Sequence, residues 1–428
     1  MTTPSFDTAF QVSMSNLRFG QGATREIGMD LEDMGLKRAL LVIDPALRDL
    51  PTGGAVLAAM RSSRVDFDVF DEVEVEPTDA SFRRAIEVAA AGKFDSFVAA
   101  GGGSTIDTAK AANLYSTYPA EFLDYVNAPI GKGKPIPGPL KPLIAVPTTA
   151  GTGSETTGVA IFDLVERHAK TGIAHRHLRP LLGIVDPDNT RTQPAAVAAA
   201  AGLDVLSHAL ESYTAIPFNR RPRPERPLLR PAYQGTNPIS DLWAIHALEI
   251  VNQYLPRAVA DTSDDEARGQ MCLAASMAGI GFGNAGVHLP HGMSYPVAGM
   301  VKGFRPPGYA VSHPLVPHGM SVILHTPAVV RFTSSACPER HLRAAAVLGA
   351  DTRGAAPADA GEILAQRIIH FMKLLKMPSG LAAIGYTEAD IPALVQGTLP
   401  QHRVTKLSPK PAGESELAEL FRASMRIW

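Results

Sequence analysis

Cysteine is scarce in this sequence. Only Cys272 and Cys337 occur among 428 residues, which is too few for a disulfide framework or for a zinc site built from thiolates. The first eleven residues show neither the charged segment and apolar run of a secretory signal nor the arginine-rich composition of a transit peptide. These absences indicate a reducing compartment, and we expect a cytoplasmic protein.

Long apolar runs and an excess of one charge are lacking as well. No apolar stretch approaches the roughly 18 residues that a membrane span needs, so no membrane association is predicted. The 40 basic and 42 acidic residues are mixed along the chain and give a net charge of -2. Such a balance predicts no extended positively charged surface that would bind nucleic acid. Small molecules are therefore the expected partners.

The sequence does contain enough apolar residues for a large core. Hydrophobic residues make up 45% of the chain, and its length predicts two domains. In the first half, short apolar runs alternate with helical patterns, which predicts a parallel, nucleotide-binding sheet. The runs lie at 38–44, 66–70, 96–100, 142–146 and 182–186. The first run ends in Asp44, whose carboxylate is a candidate for a ribose hydroxyl.

A glycine run directly follows the strand predicted at 96–100 and begins the next helix. Its glycines let the backbone approach a phosphate, and the helix adds free N–H groups and the positive end of its dipole. The alternative is a tight turn that needs glycine only for its shape. The candidate cofactor residues here are Gly101, Gly102, Gly103, Ser104 and Asp107.

A second loop of small, hydroxyl-bearing residues follows the strand predicted at 142–146. It carries Thr148, Thr149 and Thr152. Two such loops at the carboxyl ends of strands indicate one shared crevice, which is where open α/β sheets bind ligands. These threonines are therefore further candidates for cofactor binding.

Alanine-rich helical patterns replace the strand signals from Pro194 onward. We therefore predict an α/β N-terminal domain at 1–190 and an all-α C-terminal domain at 191–428. An insertion at 217–238 interrupts the helices with six prolines and five arginines. We expect it to be a solvated surface loop, and the alternative is an anion-attracting flap.

The segment 281–286 matches the dinucleotide pattern G-x-G-x-x-G. It follows a helical stretch and not a strand, and no acidic residue stands about 20 positions further on. We therefore reject it as a cofactor site and expect its glycines to let helices pack closely.

Asp204 and His208 stand four residues apart within a helical pattern, which places them on one face of the helix. Such a spacing is also common in exposed hydrogen-bonded pairs. Two further histidines, His291 and His318, each precede a glycine in a loop-like context. One aspartate and three histidines would fill the inner shell of a divalent cation. The four residues are therefore predicted as metal ligands.

Several strings together resemble the iron-containing (group III) alcohol dehydrogenases, from about residue 17 to the C-terminus. Five carry the family resemblance: Gly-Gly-Gly-Ser-Thr-Ile-Asp-Thr-Ala-Lys, Pro-Thr-Thr-Ala-Gly-Thr-Gly-Ser-Glu, Gly-Leu-Asp-Val-Leu-Ser-His, His-Gly-Met-Ser-Tyr-Pro and Pro-His-Gly. Longer strings, which begin at Phe122, Pro231, Gly281 and Arg403, are most similar to the hydroxyacid–oxoacid transhydrogenases within that family.

The resemblance implies which ligands bind. It implies that the four predicted metal ligands hold Fe2+, with Zn2+ as the alternative, since this donor set serves both ions. It also implies that NAD binds at Asp44, at the glycine run and at Thr148 and Thr149, with Lys170 near a ribose.

Two positions beside His291 depart from the family pattern. Tyr295 stands where many family members have a histidine, so a proton relay through that histidine cannot be assumed. His288 stands where a small residue is usual and could compensate; its alternative role is that of a packed, hydrogen-bonded histidine. His288 and Tyr295 are therefore the candidate catalytic residues.

The resemblance further implies a homodimer or larger homo-oligomer that moves a hydride, through nicotinamide, from a hydroxyacid such as 4-hydroxybutyrate to a 2-oxoacid such as 2-oxoglutarate. Both substrates are anions and need a cationic contact, for which Lys302, Arg305 and His313 are candidates. The alternative is an ordinary NAD-dependent alcohol dehydrogenase, which would consume free NAD. A lyase similar to 3-dehydroquinate synthase and a silent binding protein fit less well, because the strings belong to the alcohol dehydrogenases and the ligand set is intact.

Overall fold

The chain divides into two compact units. The computed structural model describes residues 6–167, 169–309, 311 and 313–428. One unit comprises Met14–Gln193, and the other joins Pro194–Trp428 to the described residues before Met14. From the sequence, these N-terminal residues were expected in the α/β part. The structure groups them with the helices because the backbone of Gln11 and the side chain of Gln234 exchange hydrogen bonds.

The strands of the α/β unit are β1 (Asn16–Phe19), β2 (Arg38–Ile43), β3 (Asp66–Phe70), β4 (Ser96–Gly101), β5 (Leu143–Pro147), β6 (Val159–Leu164), β7 (Ala169–Ala174) and β8 (Leu182–Val185). Six of them form a parallel sheet in the order β1-β8-β5-β4-β2-β3, and β6 and β7 form a separate antiparallel pair. Its α-helices are α1 (Ile27–Asp33), α2 (Pro51–Arg61), α3 (Asp79–Gly92), α4 (Gly103–Thr117) and α5 (Phe122–Tyr125). The parallel sheet confirms the predicted fold class for this part of the chain.

The central strands of the sheet are buried on both faces, which explains their nearly continuous apolar sequences. All six residues of β4 are buried. Leu41 of β2 lies in a cluster with residues of α1 and α2, whereas its neighbour Leu40 lies in a cluster with residues of α3 and α4. Helices therefore cover the sheet on both sides.

Three strands were not predicted from the sequence. β1 has only four residues, which is too short for a recognisable apolar run. The ribbon of β6 and β7 contains Asp163 and Lys170, which face each other in its register. A strand signal that rests on continuous apolar residues misses such a polar ribbon.

The register of the sheet places three connecting segments at one edge. Gly101 of β4 pairs with Pro147 of β5, and Ala100 of β4 pairs with Ile43 of β2. The chain leaves the sheet directly after these residues. The glycine run, the threonine loop and the segment after β2 therefore share the edge at which open α/β sheets bind ligands.

The second unit contains helices and no strand among the described residues, in agreement with the predicted fold class. Its α-helices are α6 (Ala195–Thr214), α7 (Pro238–Ala260), α8 (Asp265–Ala285), α9 (Leu289–Gly299), α10 (His318–Ile323), α11 (Thr326–Thr333), α12 (Pro338–Val347), α13 (Ala360–Leu374), α14 (Ile391–Thr398), α15 (His402–Thr405) and α16 (Glu414–Met425). Helices α7, α8 and α10 all pack against α6, and α10 also packs against α9.

The rejected G-x-G-x-x-G segment lies at the C-terminal end of α8, as the helical pattern before it indicated. Gly286 ends that helix with a φ of 95°, a conformation that glycine adopts without strain. No single helix in the described part of the chain is both long and apolar enough to cross a membrane. Helices α8 and α9 reach such a length and composition only together, across a bend of 103°.

The proline- and arginine-rich insertion is held by the N-terminal segment. Asp7, whose side chain is 2% exposed, pairs with Arg221 at 2.5 Å and with Arg230 at 3.0 Å. The rings of Phe10 and Phe218 also pack edge to face, with centroids 4.8 Å apart. Two of the five arginines are thus paired with a carboxylate of the same chain. Most of the described residues from 219 to 231 are exposed, as expected of a surface loop. The sequence pattern did not indicate the anchor to a carboxylate more than 200 residues away.

Candidate metal centre and phosphate-binding loops

Three helices bring the four predicted metal ligands together. Asp204 and His208 lie on α6, His291 lies in the first turn of α9, and His318 begins α10. One donor atom from each lies within 4.8 Å of every other. The three imidazole Nε2 atoms lie 3.7, 3.6 and 3.9 Å from Asp204 Oδ1.

These four side chains fit a divalent cation. Four ligands at about 2.1 Å from one ion separate neighbouring donors by about 3.4 Å, which is close to the distances from Asp204 Oδ1. His291 Nε2 is buried and has no hydrogen-bond partner among the described residues, an arrangement that a cation would satisfy. Burial lowers the pKa of His291 to about 3, so the ring is neutral, which is the form that binds a metal.

Two further side chains orient the histidines. The ring of Phe282 stacks on His208 with centroids 3.9 Å apart and an angle of 10° between the planes. Glu211 Oε1 lies 2.6 Å from His291 Nδ1. A hydrogen bond at Nδ1 directs the lone pair of Nε2 toward the other ligands. Burial raises the pKa of Glu211 to about 7, while it also accepts the backbone N–H of His288 at 2.7 Å.

Glu211 was not predicted from the sequence, although a signal was present. Asp204, His208 and Glu211 stand at positions i, i+4 and i+7 of α6, so they occupy one face of the helix. A search for a carboxylate on the face of a predicted ligand pair would have found it.

A close approach of α10 to α6 completes the centre. A Cβ atom added at Gly319 would lie 2.0 Å from the carbonyl oxygen of Ala200 and 2.9 Å from Cβ of Asp204. Only glycine allows this approach, because such distances exclude any side chain. The glycine after His318 thus serves packing, and it brings that histidine to Asp204.

The two predicted catalytic residues have different surroundings. His288 Nε2 lies 3.0 Å from the hydroxyl of Thr214, which itself donates to the carbonyl of Leu210. Nε2 is therefore the protonated nitrogen, and Nδ1 is buried without a partner in the described chain. Burial lowers the pKa of His288 to about 4, so the ring is neutral. Tyr295 is 3% exposed, and its hydroxyl accepts a hydrogen bond from Arg403 at 2.9 Å.

The glycine run and the threonine loop contact each other in the α/β unit. A Cβ at Gly103 would lie 2.7 Å from Thr152 Cγ2, and a Cβ at Gly102 would lie 3.3 Å from Thr149 Oγ1. The N–H of Thr148 also donates to the carbonyl of Gly101 at 3.1 Å. Gly102 precedes α4 without a side-chain cap, so the first backbone N–H groups of this helix remain available to a phosphate.

Two other predicted cofactor residues, Asp44 and Lys170, have different surroundings. Asp44 follows β2 at the ligand-binding edge of the sheet and accepts the N–H of Ala46 at 2.9 Å. Lys170 is buried and pairs with Glu76 at 2.8 Å and Asp163 at 3.0 Å, and these carboxylates raise its pKa against the effect of burial. The backbone N–H of Glu76 donates to Ser104 Oγ at 3.2 Å, which links this pair to the glycine run.

Asp107 lies inside the unit. Its Oδ1 accepts from the Ser154 hydroxyl at 2.6 Å and from Lys110 Nζ at 3.2 Å, and its Oδ2 accepts the N–H of Ile161 at 2.9 Å. Both carboxylate oxygens thus serve to join α4 to β6 and to the threonine loop. These contacts account for a buried aspartate here without a cofactor.

Comparison with known families shows to which family the chain belongs. Residues 15–187 match the family model described as iron-containing alcohol dehydrogenase, and residues 232–425 match the model of the C-terminal part of the Fe-containing alcohol dehydrogenase family. The chain belongs to the iron-containing alcohol dehydrogenase family. This confirms the family that the sequence strings predicted.

A curated relative supports the finer resemblance. A protein of Bos taurus named hydroxyacid-oxoacid transhydrogenase, mitochondrial, is 58% identical over 424 residues, which are 99% of this chain and 91% of the relative. This member of the family is therefore an enzyme, and it is an oxidoreductase.

Solved structures agree with the fold of this chain. An alcohol dehydrogenase from Oenococcus oeni is 26% identical with a TM-score of 0.85, over 97% of this chain and 100% of that one. Sulfoacetaldehyde reductase from Bifidobacterium kashiwanohense, solved in complex with NAD+, is 27% identical with a TM-score of 0.79, over 98% of this chain and 99% of that one. Both support the α/β and helical parts described above.

The predicted cytoplasmic location is wrong. The Bos taurus relative of this chain is named as a mitochondrial protein. The prediction failed because a low cysteine content indicates only that disulfides are not needed. More than one compartment meets that condition, so the content of cysteine cannot choose among them.

Proposed function

We propose that this chain is a hydroxyacid–oxoacid transhydrogenase. It would transfer a hydride, through nicotinamide, from a hydroxyacid resembling 4-hydroxybutyrate to a 2-oxoacid resembling 2-oxoglutarate. The name of the Bos taurus relative supports this assignment at 58% identity over 99% of the chain. The observation that carries the proposal is the convergence of three imidazole Nε2 atoms on Asp204 Oδ1, at 3.6 to 3.9 Å.

Asp204, His208, His291 and His318 would hold a divalent cation, with Fe2+ as the proposed ion because the family is iron-containing and Zn2+ as the alternative. When bound, the cation supplies a Lewis acid for the substrate oxygen, and the nicotinamide supplies a hydride acceptor and donor. Glu211 holds the Nδ1 proton of His291 and so fixes the tautomer of that ring.

The α/β unit would bind NAD. The backbone N–H groups at the start of α4 would bind the diphosphate. Gly102 and Gly103 place no side chain over this backbone, and an added Cβ there would meet Thr149 or Thr152. Asp44 would accept the ribose hydroxyls. Lys170 would support this phosphate site indirectly. It pairs with Glu76, whose backbone N–H donates to Ser104 Oγ at the start of the same helix.

The hydride balance of the reaction needs no external oxidant. The hydroxyacid loses one hydride and one proton and becomes an aldehyde or ketone, and the 2-oxoacid gains one of each and becomes a 2-hydroxyacid. A bound nicotinamide that is reduced in the first half and reoxidised in the second returns to its initial state. One cofactor per active chain is therefore sufficient for many turnovers.

The test is an assay of both products without added nicotinamide. Purified protein loaded with Fe2+ should form succinic semialdehyde and 2-hydroxyglutarate in equal amounts from 4-hydroxybutyrate and 2-oxoglutarate. Removal of bound nucleotide should abolish this turnover, and a stoichiometric amount of NAD should restore it. His318→Ala should be inactive, whereas His246→Ala, which changes an exposed histidine, should behave as wild type.

The contrary result would be consumption of free NAD in proportion to 4-hydroxybutyrate, with no effect of 2-oxoglutarate. That outcome would assign the chain to the ordinary NAD-dependent alcohol dehydrogenases. We further propose a homo-oligomer, and light scattering of the purified protein would test it.

A further inference from the structure

Arg403 is a cation without a carboxylate partner in the described chain. It lies on α15, and its Nη2 donates to the Tyr295 hydroxyl at 2.9 Å. Its guanidinium carbon lies 4.9 Å from the centroid of the Tyr233 ring. Nη1 is buried and has no hydrogen-bond partner among the described residues. A guanidinium has five N–H donors, so these contacts leave part of its capacity unused.

Such an arrangement is costly unless a ligand completes it. Removing a charge from water carries a penalty that an ion pair or a set of hydrogen bonds must offset. Burial works against the charged form of Arg403, and the two tyrosines outweigh that effect and raise its pKa. The side chain is therefore a permanent positive charge that contacts two phenols and pairs with no carboxylate of the described residues.

Arg403 lies beside the metal centre. Tyr295 stands four residues after His291 on α9, so the two residues lie on one helix face, about 6 Å apart along the helix axis. Helix α15 is pressed against α9 at the next residue, since a Cβ added at Gly292 would lie 2.7 Å from Thr405 Cγ2. After burial, the charge of Arg403 is the next cause that lowers the pKa of His291.

The cations predicted from the sequence are placed differently. Lys302, Arg305 and His313 are all exposed, and Lys302 pairs with Asp390 at 2.6 Å. All three belong to a more exposed class than the four metal ligands, which are buried or part-buried. The requirement for a cationic contact with an anionic substrate therefore points elsewhere.

We propose that Arg403 and Tyr295 form the carboxylate-binding site of this enzyme. Nη1 of Arg403 donates to one carboxylate oxygen, and the hydroxyl proton of Tyr295, whose oxygen accepts from Nη2, donates to the other. This inference rests on the proposed function, because it assumes that the substrates are hydroxyacids and oxoacids. It also gives Tyr295 a binding role in place of a histidine proton relay.

The chemistry of the two substrates fits one fixed cation. In 4-hydroxybutyrate, two methylene groups separate the carbinol carbon from the carboxylate. In 2-oxoglutarate, two methylene groups separate the keto carbon from the distal carboxylate. A cation at one distance from the reacting atoms can therefore hold both substrates in turn, and a guanidinium is well suited to a carboxylate because of its planar set of donors.

The test compares charged and neutral substrates of equal length. Arg403→Gln should lower kcat/KM for 4-hydroxybutyrate about 100-fold, mainly through KM, because a charge-assisted pair contributes to binding in the ground state as well as in the transition state. The same variant should keep its kcat/KM for 1,4-butanediol, which lacks the carboxylate. Arg403→Lys should retain part of the lost activity, and Tyr295→Phe should lose less than Arg403→Gln. Lys406→Gln, which removes an exposed cation three residues away, is the matched control.

A binding measurement separates this inference from the proposed function. Glutarate cannot accept a hydride, and calorimetry should detect its binding to wild type and to Lys406→Gln but not to Arg403→Gln. Equal metal content and equal melting temperatures would establish that the variants are folded and loaded. An unchanged affinity for glutarate and an unchanged KM for 4-hydroxybutyrate in Arg403→Gln would overturn the carboxylate site. If Arg403→Gln loses glutarate binding while the wild-type enzyme consumes free NAD, the carboxylate site stands. Only the assignment as a transhydrogenase is then overturned.

Discussion

Glu211 Oε1 lies 2.6 Å from Nδ1 of His291, and both side chains are buried. This contact joins α6, which provides two predicted ligands, to α9, which provides the third. The carboxylate acts on the metal centre through the imidazole, because a proton held at Nδ1 keeps the lone pair at Nε2.

Glu211→Gln should therefore weaken metal binding about 10- to 100-fold without removing a ligand. Competition with a chelator, read as metal retained per chain, measures the change. Glu249→Gln is the matched control, because Glu249 lies 2.9 Å from His246 Nδ1 in an exposed pair of the same chemistry. Equal retention by Glu211→Gln and wild type would show that the hydrogen bond does not orient the ligand.

Gly319→Ala should damage the metal centre through packing alone. The new methyl group would meet the backbone of Ala200 and Cβ of Asp204, so α10 must move away from α6 and carry His318 with it. We expect loss of bound metal and a stability cost of about 1–3 kcal/mol. Gly303→Ala is the control, since nothing lies within 4 Å of its added Cβ. Normal metal content in Gly319→Ala would contradict the role of this close approach.

Asp44 should make the enzyme prefer NAD to NADP, because a carboxylate accepts ribose hydroxyls and repels a 2′-phosphate. Asp44→Ser should raise the affinity for NADP relative to NAD, as measured by titration of fluorescence or by calorimetry. Asp66→Ser changes an exposed aspartate at the amino end of β3 and should leave the preference unchanged. Similar affinities of the wild type for both cofactors would refute this assignment.

Asp7 should contribute a pH-dependent part of the stability. The hydrogen bond from Arg230, together with the charges of both arginines, lowers the pKa of Asp7 from 3.8 to about 2. A carboxylate whose pKa is lower in the folded state stabilises that state above pH 3.8, and the contribution is lost as the pH falls toward 2. Asp7→Asn should thus be less stable than wild type at pH 7, by on the order of 1–3 kcal/mol, and the difference should narrow below pH 4.

Chemical denaturation at pH 7, 5 and 3 measures this difference. Asp49→Asn, at an exposed position, serves as the control and should match wild type at each pH. A difference between Asp7→Asn and wild type that stays constant from pH 7 to pH 3 would rule out the linkage.

The parallel sheet and the helical half were predictable because their signals are local. A buried parallel strand must be apolar along its length, as β4 is, and a helix that carries two ligands on one face must space them by about one turn, as Asp204 and His208 are. The glycine run before α4 was recognisable for the same reason, since the glycines, the cap position and the helix are consecutive. The order of strands and the polar ribbon of β6 and β7 left no such local pattern.

What the sequence determined by itself was the identity of the chemistry: which residues can bind a cation, which loop can approach a phosphate, and which family these strings resemble. Tertiary structure alone decided which distant groups meet. The contacts of Glu211 with His291, of Asp7 with Arg230 and of Arg403 with Tyr295 each join residues at least 80 positions apart. Their pairing depends on how helices pack, and packing is set by the sum of many weak contacts that no short stretch of sequence contains.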